Sequence, residues 1–296
     1  SVEDGSRVSK GWFKVVAAEY MNYDKNNDDE DAWYYADGNG RIYTAAFKTI
    51  KGKKYAFRED GRMVNGLKFI KQNNAGEIIG VVADDNTGHP FDTEDDFVKN
   101  APYWNENGYY CYYFGDGDDG AMRTNKTSVA IDGDNYNFYF EKSGGNKGAG
   151  VTGEKDDKYY QSGKLVRAGS DEKYQVVKHV NETDAVGYDK LDDADEFITE
   201  LGADVKYHVS TVVTQENLDA LGVNKKLEDI QEIAVITRDV VVDGRTEVKS
   251  GTDAEDFFLV NTSGKVIDSK SKNKDGNDYQ FVVAKGGSIL GYYVED

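Results

Sequence analysis

The chain has 296 residues, of which 38% are hydrophobic, 32 are glycine and 2 are proline, and this composition excludes collagen-like and proline-rich segments. It suits many tight turns between short strands. The formal net charge of −19 repels phosphate groups, so we expect neither nucleic-acid binding nor docking onto anionic lipid.

The first predicted elements are a strand at residues 11–16 and a polar loop at residues 24–31. Within the loop, Asp24, Asn26 and Asp28 have the alternate spacing of a calcium-binding loop. The glycine expected at the sixth position and the acidic residue expected at the twelfth are both missing. We therefore expect a solvated hairpin loop and no metal site.

Residues 33–66 contain one short pattern written twice. In the first copy, Trp33-Tyr34-Tyr35 precedes the turn Asp37-Gly38-Asn39-Gly40; in the second, Tyr55-Ala56-Phe57 precedes Glu59-Asp60-Gly61. The two turns lie about 21 residues apart, a fixed period that indicates a repeat architecture. Alternating aromatic residues followed by Asx-Gly predict β-hairpins, here two that stack on each other.

The same pattern returns along the rest of the chain, after a short predicted helix at residues 92–98. Further strands and turns are predicted at residues 67–82, 109–124, 131–140, 159–166, 257–266 and 279–291. Each hairpin of such an array packs on its neighbours, so a thin core suffices. We therefore predict an all-β fold, a solenoid of stacked β-hairpin repeats.

The sequence pattern changes at about residue 183, where aromatic residues become rarer. Apolar residues at three- and four-residue steps predict a helix at residues 191–201, closed by Gly202. Strands are predicted at residues 205–214 and 233–242, with short helices at residues 215–221 and 226–230. We therefore predict three parts: hairpin repeats at 1–182, a small mixed α/β insertion at 183–250, and further hairpin repeats at 251–296.

The repeats resemble the cell-wall-binding repeats, which are the choline-binding and glucan-binding repeats of Gram-positive surface proteins. The resemblance rests on Gly11-Trp12, on the run from Trp33 to Gly38 and on the run from Gly52 to Met63. It covers roughly residues 1–180 and 255–296. It implies a β-solenoid, secretion with the signal peptide removed, a place on the cell surface, and non-catalytic attachment to a wall polymer or glycan.

The resemblance also implies four candidate ligand-binding residues. In choline-binding members, sites form between successive repeats, and Trp12 and Trp33 match the family pattern, with Tyr55 and Met63 as neighbours from the next repeat. Aromatic faces suit a quaternary ammonium group, which cannot donate a hydrogen bond, because the ring attracts the cation. Choline is thus one candidate ligand.

The second copy departs from the family pattern. Ala46-Phe47 replaces Gly-Trp, Lys54 replaces the leading aromatic residue, and Leu67 replaces the next tryptophan. A lysine at that position would repel a cationic ligand. Two other interpretations of the four candidates therefore stay open, namely a carbohydrate site with nearby Asp and Asn residues, and apolar packing between hairpins.

Residues typical of catalysis are scattered. His89, His179 and His208 are isolated from one another in sequence, and the single Cys111 lies in an aromatic run where we expect it to pack as an apolar residue. Nucleophile-elbow and phosphate-loop motifs are absent. We therefore expect no enzyme activity, no cofactor and no bound metal.

The leading hypothesis is a secreted, non-catalytic module that binds a cell-wall polymer or glycan. The alternative is a surface scaffold or adhesin whose repeats are structural and whose insertion at 183–250 binds a protein partner. No apolar run is long enough to span a membrane, so we expect no membrane insertion.

Overall fold

The computed structural model describes residues 8–83, 88–182 and 185–296. The chain divides into two compact units. The first comprises Ser1–Thr152 and Tyr160–Lys164, and the second comprises Gly153–Tyr159 and Leu165–Asp296. The predicted boundary between residues 182 and 183 falls at Thr183, which lies outside the described residues.

The first unit is built from short antiparallel strands and two helices, α1 (Tyr23–Asn27) and α2 (Glu94–Glu106). Its strands are β1 (Gly11–Val16), β2 (Asp31–Ala36), β3 (Ala46–Ile50), β4 (Lys53–Phe57), β5 (Leu67–Gln72), β6 (Ile78–Val82), β7 (Tyr110–Tyr113), β8 (Asn125–Ile131) and β9 (Asp134–Phe140). Three further short strands follow: β10 (Gly153–Lys155) lies in the second unit, and the division between the units passes through β11 (Lys158–Gln161) and β12 (Lys164–Leu165).

Neighbouring strands of the first unit pair as antiparallel hairpins, β1 with β2, β3 with β4, β5 with β6, and β8 with β9. The glycine turns predicted at residues 37–40 and 59–61 do not join these strand pairs. They follow β2 and β4, and each closes on a single bridge, Ala36 with Ile42 and Phe57 with Met63. The first two repeats therefore each consist of a hairpin followed by a tight glycine turn.

One side chain fixes most of these glycine turns. In the first repeat, Asp37 Oδ1 accepts hydrogen bonds from the backbone N–H groups of Asn39 and Arg41 at 2.8 and 2.9 Å. An Asp or Asn that caps its own turn in this way favours the turn over extended backbone. Three later turns are capped by the equivalent residue, which is Asn73, Asn261 or Asp275.

The second repeat caps its turn differently, because Arg58 stands where the first repeat has Asp37. Asp60 supplies the acceptor: its Oδ1 accepts the N–H of Arg62 at 3.1 Å. Its Oδ2 accepts from Arg62 Nε and from Asn22 Nδ2, both at 2.7 Å. Burial alone would raise the pKa of Asp60, but these hydrogen bonds and the Arg62 charge hold that pKa below its usual range.

A recurring backbone hydrogen bond joins successive repeats. The N–H group that follows a glycine turn donates to a strand carbonyl of the preceding repeat: Met63 to Trp33 at 2.8 Å, Met122 to Lys54 at 2.8 Å and Gly150 to Cys111 at 2.7 Å. We call these three the linking hydrogen bonds. They make Trp33, Lys54 and Cys111 equivalent positions in successive repeats.

Helix α2 supplies much of the core of the first unit. Thr93 caps its N-terminus by accepting the N–H of Asp96. Phe97 and Trp104 of α2 pack in one buried cluster with Phe69 of β5. The helix predicted at residues 92–98 therefore exists and continues for two further turns.

The second unit is also mostly β. Its strands are β13 (Tyr174–Glu182), β14 (Ala185–Lys190), β15 (Tyr207–Ser210), β16 (Ile230–Val242), β17 (Arg245–Ser250), β18 (Phe257–Asn261), β19 (Ser271–Lys274), β20 (Gln280–Val283) and β21 (Ile289–Glu295). Its helices are α3 (Ala194–Ala203), α4 (Gln215–Leu221) and a short 3₁₀ helix at Leu227–Asp229.

Two antiparallel sheets form the second unit, with strand orders β14-β13-β18 and β15-β16-β21-β20-β19, and β17 pairs with β16. Phe197 and Leu201 of α3 pack in a buried cluster with Phe281. Leu218 and Leu221 of α4 belong to a second cluster. Each helix thus covers the sheet with its apolar face.

The described residues are mostly β with few helices, arranged in several small antiparallel sheets, in agreement with the predicted all-β class at that level. The predicted insertion at 183–250 lies in the second unit and contains α3, α4 and β15 to β17. Its longest strand, β16, pairs with β21, so this segment shares a sheet with residues beyond 250. The three-part division stays a prediction.

The predicted polar loop at residues 24–31 is partly wrong, because the chain forms helix α1 there. Asn22 caps that helix: its Oδ1 accepts the N–H of Lys25 at 3.1 Å. The pattern concealed this helix because α1 has no buried residue and hence no apolar periodicity.

The contact around Gly150 predicts a position-specific loss of stability. A Cβ at Gly150 would lie 2.3 Å from the carbonyl oxygen of Ser162, which is backbone and cannot swing away. We expect Gly150→Ala to lower the free energy of unfolding by about 1–3 kcal/mol. Gly145→Ala is the matched control, since a Cβ there meets nothing within 4 Å. Denaturant unfolding measures both, and equal stabilities would contradict the contact.

The capping by Asp60 predicts a pH-dependent contribution to stability. Because the folded-state pKa is lowered, the contribution is complete above the unfolded-state pKa of about 4 and is lost as the pH falls through the folded-state value. We expect Asp60→Asn to cost about 1–3 kcal/mol at neutral pH and progressively less below about pH 4. Glu59→Gln, at an exposed neighbour, is the control. A cost independent of pH in urea unfolding would argue against the carboxylate.

Candidate functional site

The four residues singled out in the sequence lie together in the first unit. We call Trp12, Trp33, Tyr55 and Met63 the first cluster. Trp12 comes from β1, Trp33 from β2 and Tyr55 from β4, while Met63 follows the second glycine turn. All four are half-buried, so part of each side chain faces solvent.

Trp12 is the centre of the first cluster. Its ring centroid lies 6.5 Å from that of Trp33 with the two planes at 87°, and 4.8 Å from that of Tyr55 at 62°. On the inner side, Trp12 packs against Tyr35 and Phe57, which are 8% and 0% exposed. In the first cluster, the rings of Trp33 and Tyr55 are therefore steeply inclined to the Trp12 ring, and buried aromatic residues lie beneath it.

Backbone hydrogen bonding places Met63 in this cluster. Its N–H group donates to the carbonyl oxygen of Trp33, as one of the linking hydrogen bonds. Its side chain lies against Gly120, where a Cβ would come within 2.2 Å of the Met63 sulfur. A thioether held beside aromatic rings adds polarizable surface without adding a hydrogen-bond donor.

The charges around the first cluster are compatible with a cationic ligand. Lys14 Nζ lies 6.0 Å from the ring centroid of Trp33 and is paired with Asp118 at 3.1 Å. A hydrogen bond from Lys14 holds the pKa of Asp118 below its usual range. Burial, and then the charge of Asp119, raise the pKa of Tyr55, which therefore stays a neutral phenol. Lys14 thus lies near a face of Trp33, and its charge is offset by the pairing with Asp118.

The next repeat forms an equivalent second cluster from Phe47, Lys54, Tyr112 and Met122. The linking hydrogen bond from Met122 to Lys54 matches the one from Met63 to Trp33. The Phe47 and Tyr112 rings lie 5.2 Å apart, as Trp12 and Tyr55 lie 4.8 Å apart in the first cluster. The two clusters therefore share the linking hydrogen bond and a close ring pair, and they differ at the Trp12 position, which is Phe47, and at the Trp33 position, which is Lys54.

Lys54 places its own ammonium group in the second cluster. Its Nζ lies 4.8 Å from the ring centroid of Phe47, at the distance of a cation–π contact. Burial lowers the pKa of Lys54, and the charge of Lys147 lowers it further. Within the described residues, no carboxylate pairs with this ammonium group. An internal cation thus occupies the aromatic face that a ligand cation would need.

The third equivalent position carries no aromatic face. Cys111 stands there and is fully buried, and burial raises the pKa of its thiol. Leu67 stands at the position of Trp12 and Phe47, opposite Tyr113. This interface is closed apolar core, as expected for Cys111 from the sequence.

The histidines take part in separate contacts. His89 stacks on Tyr103 at 3.5 Å between ring centroids, and His208 Nε2 lies 3.2 Å from a carboxylate oxygen of Asp239. Asn26 of the incomplete calcium pattern donates to the carbonyl of Ala17 instead. Across residues 8–83, 88–182 and 185–296, no group of three acidic, histidine or cysteine residues could hold a metal ion. In the same ranges, no helix has the length and apolar character needed to cross a membrane.

Comparison with known proteins gives structural neighbours only. No protein-family model matches the chain. No curated protein sequence matches it either. Solved structures that it resembles include choline-binding proteins of Streptococcus pneumoniae and a pneumococcal cell-wall endolysin of a phage.

Three of these structures illustrate the sequence identities, coverages and TM-scores of the matches. Choline-binding protein F from Streptococcus pneumoniae is 15% identical to this chain, with a TM-score of 0.32. The match covers 87% of this chain and 83% of that protein. CbpJ from the same species has 13% identity, coverage of 94% and 87%, and a TM-score of 0.28. The cell-wall endolysin of phage Cp-1, solved with choline, has 15% identity, coverage of 65% and 35%, and a TM-score of 0.26.

The chain thus spans 35% of the length of that endolysin. The family in these matches is the one that the repeat pattern resembles. TM-scores this low do not establish a shared fold, and identities this low do not establish a shared ligand. The proposal on the ligand therefore rests on the residues of the first and second clusters.

The position of Lys54 predicts a signal that can be measured without any ligand. Protons above an aromatic face resonate upfield, so we expect the ε-methylene protons of Lys54 to lie upfield of those of the exposed Lys53. Phe47→Leu should remove the difference. Proton–carbon correlation spectra measure it, and coincident signals in the wild-type protein would show that Lys54 lies away from the ring.

Proposed function

We propose that the chain is a non-catalytic cell-surface module that attaches to a wall polymer or glycan through aromatic faces between hairpin repeats. The first cluster binds a quaternary ammonium group such as that of choline. The observation that carries the proposal is the pair of half-exposed, nearly perpendicular rings of Trp12 and Trp33, with Tyr55 at 4.8 Å.

The physical basis is the match between these rings and a ligand that cannot hydrogen-bond. A trimethylammonium group is large, weakly hydrated and positive, and it gains cation–π attraction from each ring face it touches. The net charge of −19 adds a long-range attraction for cations, which salt weakens. The wall polymer would need to carry such groups at intervals.

The same proposal gives the hairpins their architectural role. The linking hydrogen bonds repeat from one hairpin to the next, which is the contact that a β-solenoid requires. In that arrangement each interface is one potential site. Lys54 blocks the second interface and Cys111 fills the third with apolar core, so the first cluster remains. Function at the wall implies a secreted, surface-located protein.

A second candidate function rests on the ribbon formed by β16 and β17. All six residues of β17 are exposed. Val241 and Val248 lie on the same face of the ribbon and are 73% and 67% exposed. Exposed apolar side chains on a protruding ribbon suit contact with another protein. In this alternative the repeats are structural, and the segment 183–250 makes the chain an adhesin or scaffold.

The leading proposal predicts retention on a choline matrix and elution by free choline. We expect Trp12→Ala and Trp33→Ala each to weaken binding about tenfold or more, because each removes one ring face. Tyr20→Ala is the control, since Tyr20 is 90% exposed and lies outside the cluster. Circular dichroism confirms that each variant is folded.

Two results would count against this proposal. Failure of the wild-type protein to bind the choline matrix, with peptidoglycan still captured, would leave a neutral glycan as the ligand of the aromatic faces. Binding to whole cells that survives in both tryptophan variants and is lost in Val241→Asp/Val248→Asp would favour the adhesin.

A further inference from the structure

A second concave surface of the first unit lies away from the first cluster. It is a cleft of about 550 Å³, lined by the apolar or small residues Met21, Ile78, Ile79, Gly80 and Val81 and by the polar or charged residues Asn22, Arg58, Glu59, Asp60 and Arg62. Its volume falls within the range of about 300–1,000 Å³ that is usual for small-ligand sites. The cleft combines apolar walls with charged groups, so a ligand in it would meet both.

Arg58 occupies a turn position that often carries a capping side chain. Asp37 holds this position in the first repeat and Asn73 holds it in the turn between β5 and β6, and each accepts two backbone N–H groups of its own turn. A guanidinium group has only donors, so Arg58 cannot do this. The turn keeps its shape because Asp60 supplies the missing acceptor.

Asp60 forms no salt bridge with Arg58, because its oxygens face Arg62 and Asn22. Its two oxygens already accept three hydrogen bonds, two from Arg62 and one from Asn22. Among the residues that the structure describes, no other carboxylate pairs with Arg58. The second repeat has thus exchanged a capping side chain for a cation at the edge of a cleft.

The surroundings of Arg58 make an unpaired cation costly. Burial lowers the pKa of its guanidinium, and the neighbouring charge of Arg62 lowers it further, while Asp60 opposes both. A bound anion would remove that cost. Guanidinium binds carboxylate and phosphate through two parallel hydrogen bonds, which gives geometric selectivity as well as attraction.

We propose that Arg58 binds an oxyanion, either a carboxylate or a phosphate group of a small polar molecule, in this cleft. Ile79 and Val81, which line the cleft, pack against the rest of the ligand. An acidic or phosphorylated sugar combines the two features. This site is built from residues other than those of the first cluster, and it binds its ligand through a positive charge of the protein.

The experiment follows the arginine Nε–Hε signals of the whole chain by NMR during titration at constant ionic strength. Inorganic phosphate and acetate are the first probes, with chloride as the reference anion. Glucuronate and glucose 6-phosphate then separate the carboxylate from the phosphate source, and glucose is the uncharged control. We expect a saturable shift of the Arg58 signal with at least one anion and none with chloride or glucose.

Variants locate the effect. The amide signals of Ile79 and Gly80 report on the cleft, and we expect Arg58→Gln to weaken their response about tenfold or more. Arg58→Lys keeps the charge and should weaken the response less. Arg41→Gln, at the exposed residue equivalent to Arg62, should leave it unchanged. Trp12→Ala should also leave it unchanged, so this test is independent of the choline test.

Three outcomes would overturn the proposal. The first is an Arg58 signal that does not move with any anion. The second is an equal shift at Arg41 and Arg58, which would show only a general electrostatic effect. The third is an unchanged cleft response in folded Arg58→Gln. Should Arg58→Gln fail to fold, the wild-type Arg58 signal and the Arg58→Lys variant decide the question.

Discussion

The linking hydrogen bonds between repeats are the constraint on which the first unit depends. Because the N–H after each glycine turn reaches back to the preceding repeat, side chains at equivalent positions are brought to the same place at every interface. The linking hydrogen bond is then constant, while the side chains at the equivalent positions differ. Trp33 supplies an aromatic face, Lys54 supplies a cation, and Cys111 supplies apolar core. Similar hairpins can thus form a candidate binding site, an interface that holds an internal cation, or a structural contact.

The parts of the fold that could be predicted are those decided by local residues. The glycine turns follow from side chains such as Asp37, which hydrogen-bonds its own turn, and their period reveals the repeats. Contacts between distant segments could not be predicted in this way. The pairing of β5 with β7 and of β16 with β21 depends on tertiary packing, which leaves no local pattern. Helix α1 escaped detection because its capping residue precedes a wholly polar run.

The candidate site could be predicted only in part, and through a resemblance to known repeats. Trp12, Trp33, Tyr55 and Met63 lie together in the structure, and their role as ligand-binding residues stays a proposal. The sequence marked Lys54 as a departure from the family pattern, but not that its ammonium group covers the Phe47 ring. Arg58 gave no signal at all. Its departure from the Asp or Asn of other turns becomes visible only once hydrogen bonds align the turns.

The central claim is that the first cluster binds a positive charge through its ring faces. The most direct measurement is a tryptophan fluorescence titration of the whole chain with choline and with 3,3-dimethyl-1-butanol, its uncharged carbon isostere. The two molecules have the same shape, so only the charge separates cation–π attraction from apolar burial. The account predicts a saturable fluorescence change with choline and little or none with the isostere. Equal responses to both molecules, or none to choline, would contradict it.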